Sequence, residues 1–82
     1  MTLTINRQGK IPVFLQISEQ LSDAIAAGEY PPGTLLPSEA AIMAQTGVTN
    51  RTARKAVRVL VAAGLAEVIR GKGAFVTEGS DD

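Results

Sequence analysis

Four basic side chains follow one another at helical spacing in the second half of the chain: Arg51, Arg54, Lys55 and Arg58. Residues spaced i, i+3, i+4 and i+7 lie on one side of a helix, where like charges repel by about 0.2–0.5 kcal/mol per pair. An external anion explains such a row better than water does. Arginine and lysine bind phosphate, and arginine also forms paired hydrogen bonds with guanine. The spacing therefore predicts a surface that binds a polyanion.

The total charge of zero conceals a strong asymmetry along the chain. Residues 1–48 carry a net charge of −2, residues 49–73 carry +5, and residues 74–82 carry −3. Asymmetry of this kind indicates a charged partner even when the total is balanced. A nucleic acid is therefore compatible with the composition.

The composition argues against catalysis and metal binding. The 82 residues contain no cysteine and no histidine, so the usual thiolate and imidazole ligands and the commonest general base are absent. Glu19 and Asp23 are four residues apart, but no nucleophile or base accompanies them, which favours a solvated helix face. We therefore expect no enzyme, no cofactor and no metal.

The hydropathy pattern predicts a cytoplasmic protein. No run approaches the roughly 18 apolar residues of a membrane span, and Met1–Lys10 lacks the apolar core of a signal peptide. The length is that of a single domain.

Caps and periodicity predict three helices around these basic residues. Pro12 opens a first helix over residues 12–27, which Gly28 ends. Ser38 is a helix N-cap, and a second helix runs from Glu39 to about residue 45, before Gly47. The apolar positions of these two helices are Phe14, Ile17, Leu21, Ala24, Ile25, Ile42 and Met43.

The third helix is capped by Thr49, runs to about Ala63 and is followed by Gly64. An apolar stripe opposes its basic side, and its predicted core residues are Ala53, Ala56, Val57, Leu60 and Val61. The second and third helices, joined by a short turn at Gly47 and Val48, predict a helix-turn-helix.

A β-hairpin is predicted after the third helix. Residues 65–69 and 74–77 are the strands, and residues 70–73 form the turn. Because a two-stranded hairpin is unstable alone, it must pack on the helices; its candidate contacts are Leu65, Val68, Phe75 or Val76. The predicted fold is mainly α with a small β-hairpin (α+β), a winged helix-turn-helix with three helices plus wing. Residues 1–10 are an N-terminal arm, residues 11–77 the domain, and residues 78–82 a disordered acidic tail.

In a helix-turn-helix the N-terminal part of the second helix enters the major groove. The predicted contacts on this helix are Thr49, Asn50, Arg51, Thr52, Arg54 and Lys55, with Arg58 over the phosphate backbone. At the wing, Arg70, Gly71, Lys72 and Gly73 would approach the minor groove. The amides of Ser38 and Glu39, at a helix N-terminus, would hold a phosphate.

Several motifs in fixed order resemble the GntR family of bacterial regulators. They are Leu35-Leu36-Pro37-Ser38-Glu39, Gly47-Val48-Thr49, Thr52-Ala53-Arg54-Lys55-Ala56, Gly64-Leu65 and Gly71-Lys72-Gly73-Ala74-Phe75-Val76, within residues 11–76. The resemblance implies a homodimer on a short palindromic operator. It also implies DNA contacts by Thr49, Arg51, Thr52, Arg54, Gly71 and Lys72.

The sequence departs from the family pattern at two positions. Ala40 and Asn50 stand where many members have arginine, so the base preference of other members should not be carried over. Members usually add a C-terminal domain that binds a metabolite and dimerises. We therefore expect this chain to be either an excised domain or a short member, and to bind no small molecule itself.

The pattern predicts sequence-specific binding of double-stranded DNA by a transcriptional repressor. Two alternatives remain at this stage. A winged helix can also dock proteins, although Val59 is the only apolar residue near the basic face. RNA is the other possible polyanion, although the 4% aromatic content gives little support for binding of single strands by stacking.

Overall fold

The computed structural model describes residues 2–78 and contains three helices followed by a two-stranded antiparallel sheet. The helices are α1 (Val13–Ala26), α2 (Glu39–Thr46) and α3 (Asn50–Ala62), and the strands are β1 (Ala66–Ile69) and β2 (Gly73–Val76). This is the predicted winged helix-turn-helix. The predicted helix boundaries agree with the observed ones to within one residue.

The core lies where α1 and α3 pack together. Ile17 and Leu21 of α1 and Leu60 of α3 are at most 1% exposed, and Ile42 of α2 is fully buried among them. Alanines at positions 53 and 56 have no exposed surface, and their small side chains let the helices approach closely. One predicted core residue is not in the core. Val61 is 39% exposed, because it lies at the edge of the stripe, where the neighbouring elements cover it only in part.

The turn between α2 and α3 depends on one glycine. Gly47 has a φ of +76°, a left-handed conformation that residues with a side chain rarely adopt. Its N–H donates to the Met43 carbonyl and closes α2. Val48 follows, is 7% exposed and belongs to the core. The turn therefore holds the start of α3 in a fixed direction relative to α2.

The hairpin pairs Ala66 with Val76 and Ile69 with Gly73. A further bridge pairs Leu35 with Phe75, so the segment before α2 adds a third, short strand contact that the sequence analysis did not predict. Ala66 and Val76 anchor the hairpin in the core, each 4% exposed.

The proposed role of Val68 as a packing residue is wrong. Val68 is 62% exposed and lines an open groove with Met43 and Val57, so the hairpin does not pack closely on the helices at that point.

The N-terminal arm (residues 1–10, of which 2–10 are described) packs against the helices. Leu3 is buried at 2% exposure. Glutamine side chains hold the backbone of the arm: Gln20 Oε1 accepts from Thr4 N at 3.0 Å and Gln16 Oε1 accepts from Asn6 N at 2.7 Å. Gln45 of α2 accepts from Leu3 N at 2.8 Å. These side-chain amide oxygens accept hydrogen bonds from the backbone of the arm, as the backbone carbonyls of a neighbouring strand would in a sheet.

The predicted acidic tail at residues 78–82 lies, apart from Glu78, outside the described residues. Within the part of the chain that the structure describes, no helix has the length and hydrophobicity that crossing a bilayer requires.

Candidate nucleic-acid interface

The basic residues of α3 are exposed on the side of the helix opposite to the core. Buried residues of α3 occupy one face: Ala53, Ala56, Val57 and Leu60. Arg51, Arg54, Lys55 and Arg58 are all exposed and line one shallow groove together with Asn50. The spacing therefore predicted the shared face correctly. If these four side chains pointed into the protein instead, α3 could not bind a polyanion.

The two helices of the motif begin with side-chain caps. Ser38 Oγ accepts from Ala41 N at 3.0 Å, and Thr49 Oγ1 accepts from Thr52 N at 3.2 Å. Thr49 Oγ1 also donates to Thr52 Oγ1 at 3.2 Å. Both predicted cap residues are confirmed as caps. Their hydroxyls are therefore partly engaged within the protein, and the free amides of the first turn remain for an external acceptor.

Glu39 joins α2 to the basic face of α3. Its Oε1 accepts from Asn50 Nδ2 at 2.8 Å, and its Oε2 lies 3.4 Å from Arg54 Nε. The pair is partly exposed, with 55% of the Arg54 side chain and 33% of the Glu39 side chain accessible. A carboxylate so placed restricts the rotamers of two neighbouring side chains. From the sequence, only a backbone contact with phosphate was expected at Glu39, and this bridge was not predicted.

Lys55 is held on the other flank of α3. Its Nζ lies 4.2 Å from the centroid of the Phe14 ring, near the start of α1, which is a cation–π distance. Phe14 is half-buried and packs against the core, so the predicted structural role of this aromatic residue is correct. Phe75, for which the same role was predicted, is also half-buried.

The wing residues are exposed but do not all face α3. A groove between the wing and the helix-turn-helix has the following lining residues among others: Ser38, Glu39, Met43, Asn50, Val68 and Gly73. Lys72 instead lines a depression with Glu67 and Phe75. Arg70 and Gly71 lie in the exposed turn at the tip. Gly73 has a φ of +123°, and a Cβ there would lie 3.1 Å from Leu35 Cδ1, so this position requires glycine.

Glu19 and Asp23, considered above as an acid pair, are both exposed. Arg7 is not among the site residues predicted from the sequence. Its Nη2 donates to the Thr46 carbonyl at 3.3 Å, beside the turn at Gly47. No local sequence signal places it there, because the partner is 39 residues away.

Comparison with known proteins identifies the family to which the chain belongs. The family model described as "Bacterial regulatory proteins, gntR family" matches residues 14–76. The chain belongs to the GntR family. The DNA-binding domain of GntR-family transcriptional regulators is therefore the domain described above, which confirms the resemblance seen in the motifs.

Individual GntR-family proteins resemble the chain over most of its length. The HTH-type transcriptional repressor NagR of Bacillus subtilis is 41% identical over 76 residues, which is 93% of this chain and 31% of NagR. The mannosyl-D-glycerate transport/metabolism system repressor MngR of Escherichia coli is 40% identical over 70 residues, or 85% of this chain and 29% of MngR. The chain thus spans about a third of the length of these relatives.

One similar solved structure is a complex with an operator. The DNA-binding domain of AraR, solved in complex with operator ORX1, superimposes with a TM-score of 0.84 and 34% identity. The match covers 94% of this chain and 99% of that chain. The similarity supports a winged helix-turn-helix with a role in DNA binding. It does not favour the alternative of a protein-docking module.

Proposed function

We propose that this domain recognises a specific DNA duplex by placing the N-terminal half of α3 in the major groove. The observation that carries the proposal is the row of exposed cations on α3, directly opposite its buried face. A helix anchored on one side in a core and basic on the other can enter a groove about 12 Å wide without rearrangement.

The positions on α3 suggest a division of roles. Asn50 and Arg54 lie on the side of α3 that meets the start of α2 and are held there by Glu39, which suits them to read adenine and guanine edges. The remaining cations and hydroxyls suit contacts with phosphate: Thr49, Arg51, Thr52, Lys55 and Arg58. The free amides of Ser38 and Glu39 add a phosphate site at the start of α2.

The wing suits the neighbouring minor groove. Arg70, Gly71, Lys72 and Gly73 are exposed at or next to the tip of the hairpin. A narrow minor groove has an enhanced negative potential that attracts an inserted cation. Glycine at two of the four positions leaves the backbone free to approach the groove wall.

The protein as a whole would act as a transcriptional repressor in the cytoplasm, binding a palindromic operator as a homodimer. The repressor names of NagR and MngR support the first part. Pairing is favoured because a single small module buries little DNA surface and gains affinity when two modules bind adjacent half-sites. We propose no catalysis, cofactor or small-molecule ligand for these 82 residues.

The proposal is tested by selecting binding sites from random duplexes with the full chain and then titrating salt on the selected duplex. With roughly four to six phosphate contacts per protomer, the affinity of a dimer should fall about 10,000-fold or more between about 50 and 200 mM salt. An affinity that hardly changes with salt contradicts the proposal. If the chain binds a duplex RNA of the same sequence more tightly than the duplex DNA, its partner is RNA and the proposal is wrong.

The same assay tests Arg54. The Arg54→Ala variant should lose about 1–3 kcal/mol of specific binding if Arg54 reads a base. The matched Arg54→Lys variant keeps the charge but loses the paired hydrogen bonds, so it should lose discrimination more than general affinity. Unchanged discrimination in both variants would remove Arg54 from base readout.

A further inference from the structure

Arg7 places a positive charge beside the turn of the helix-turn-helix. Its guanidinium contacts the Thr46 carbonyl, and its Nη2 is 3.6 Å from the position a Cβ on Gly47 would take. Thr49, the cap of α3, is only two residues beyond that glycine. A cation from the N-terminal arm therefore lies next to the end of α3 that would enter the groove.

The arm that carries Arg7 is held on both sides of it. Thr4 N and Asn6 N donate to glutamine side chains of α1, and Leu3 is buried. Gln16 Nε2 donates to the Ile11 carbonyl on the far side of Arg7. Because folding already orders the backbone around Arg7, a DNA contact there would require little further ordering of the chain.

Most of the hydrogen-bonding capacity of Arg7 is unused. A guanidinium has five N–H donors, and the structure shows one bond, at 3.3 Å, to a backbone carbonyl. Across residues 2–78, the ion pair between Arg54 and Glu39 is the one found within 4.0 Å, so Arg7 has no carboxylate partner among them. The side chain is exposed. Its charge is available to an external anion.

The flanks of α3 indicate which anion this is. The groove that contains Asn50 is bounded by wing residues such as Val68 and Gly73. The opposite flank is bounded by the start of α1, where Phe14 meets Lys55. The arm leads directly into α1 and therefore belongs to that second flank. When the end of a helix enters the major groove, a phosphate backbone forms the groove wall on each side of it.

We propose that Arg7 binds a backbone phosphate of the DNA strand on the side of α3 away from the wing. The arm and the wing thus hold α3 from its two sides, although only the wing is visible as a motif in the sequence. This inference rests on the proposed function, because it requires α3 to be in the groove. The alternative role for Arg7 is structural only, as a cation at the C-terminus of α2.

The experiment measures the slope of log affinity against log salt for the full chain, with the selected duplex as the probe. The wild-type slope tests the proposed function, and the change in slope tests Arg7. The Arg7→Ala variant should have a slope shallower by about 0.9 per protomer, with roughly eightfold weaker binding per protomer near 0.1 M salt. The Arg7→Lys variant should keep the wild-type slope.

Lys10→Ala is the matched control. Lys10 is an exposed cation of the same arm, but it lines a groove with Glu19 and Asp23 of α1, away from the turn. This variant should keep the wild-type slope. If Arg7→Ala lowers the unfolding midpoint but leaves the slope unchanged, Arg7 is only a helix cap. If Lys10→Ala changes the slope equally, the arm contributes general charge. Either result overturns the proposal while leaving DNA binding by α3 intact.

Discussion

Replacing Glu39 by glutamine should lower the discrimination between the selected duplex and other DNA while raising affinity for DNA in general. The carboxylate of Glu39 faces the same surface as the phosphates, so its charge repels any duplex. It also holds Asn50 and Arg54, with contacts of 2.8 and 3.4 Å. The two effects have opposite signs and can be separated, because only the second depends on the base sequence.

The magnitudes follow from the exposure of the pair. A partly exposed ion pair contributes under about 1 kcal/mol to folding stability, so the variant should remain folded. Ordering one released side chain on binding costs about 0.5–1.5 kcal/mol, which is a roughly two- to twelvefold loss of discrimination. Glutamine can still bond to Asn50, so Glu39→Gln releases mainly Arg54. Glu39→Ala releases both side chains and should cost about twice as much discrimination.

Removing the repulsion acts on every duplex equally. One charge about 4 Å from a phosphate in water is worth about 1 kcal/mol, or up to about fivefold in affinity. The assay is fluorescence anisotropy with the selected duplex and a scrambled duplex at one salt concentration, reported as the ratio of the two dissociation constants. Glu19→Gln, the same charge change at an exposed site on α1, is the control and should leave the ratio unchanged. If Glu39→Gln shifts both affinities and leaves the ratio unchanged, Glu39 does not position the reading residues.

Two further predictions concern stability and are measured by urea denaturation. Thr49→Ala should lower the free energy of unfolding by about 1 kcal/mol through loss of the cap on α3, with no change in the m-value. Thr49→Ser retains the hydroxyl and should be nearly as stable as the wild type. Equal stability of the two variants would contradict the role of Thr49 as a cap. Leu60→Ala, at a site 1% exposed, should cost about 2–5 kcal/mol. Val61→Ala, one residue further along α3 but 39% exposed, should cost much less, and similar losses at the two sites would contradict the observed face of the helix.

The elements that local chemistry determines could be predicted from the sequence. The caps at Ser38 and Thr49 and the end of α2 at Gly47 depend on residues at most four positions away, and each is found where it was expected. The basic face of α3 was also predictable, because helical periodicity alone relates it to the buried face. The motif order from residue 35 to 76 then pointed to the family.

Features that depend on how far one element covers another could not be predicted. Periodicity assigns Val61 to the apolar side of α3, but it does not say that the neighbouring elements leave that edge of the stripe uncovered. Val68 alternates correctly with Ala66, yet only Ala66 lies above the core. The register of a strand determines which way a side chain points, and the distance to the facing helices determines whether it is buried.

Contacts between residues far apart in the sequence could not be predicted either. Glu39 meets Arg54 across 15 positions, and Leu3 meets Gln45 across 42. Each requires the relative placement of two elements to be known before the contacting groups can be paired. These contacts include the bridge at Glu39 and the placement of Arg7, and so they contain much of what distinguishes this site from a generic basic helix.

The separation of charge between α3 and the rest of the molecule has a consequence for the search along a chromosome. With no net charge, these 82 residues experience little attraction to a distant duplex. At physiological salt the cations of α3 attract phosphates only within about 8 Å. At that distance the uneven charge distribution of the domain produces a torque that turns α3 toward the DNA, while the net attraction of the neutral domain stays small. On the proposed function, this domain would turn its reading helix toward DNA late in the encounter, and it would spend less time bound to unrelated sequence than a uniformly basic domain.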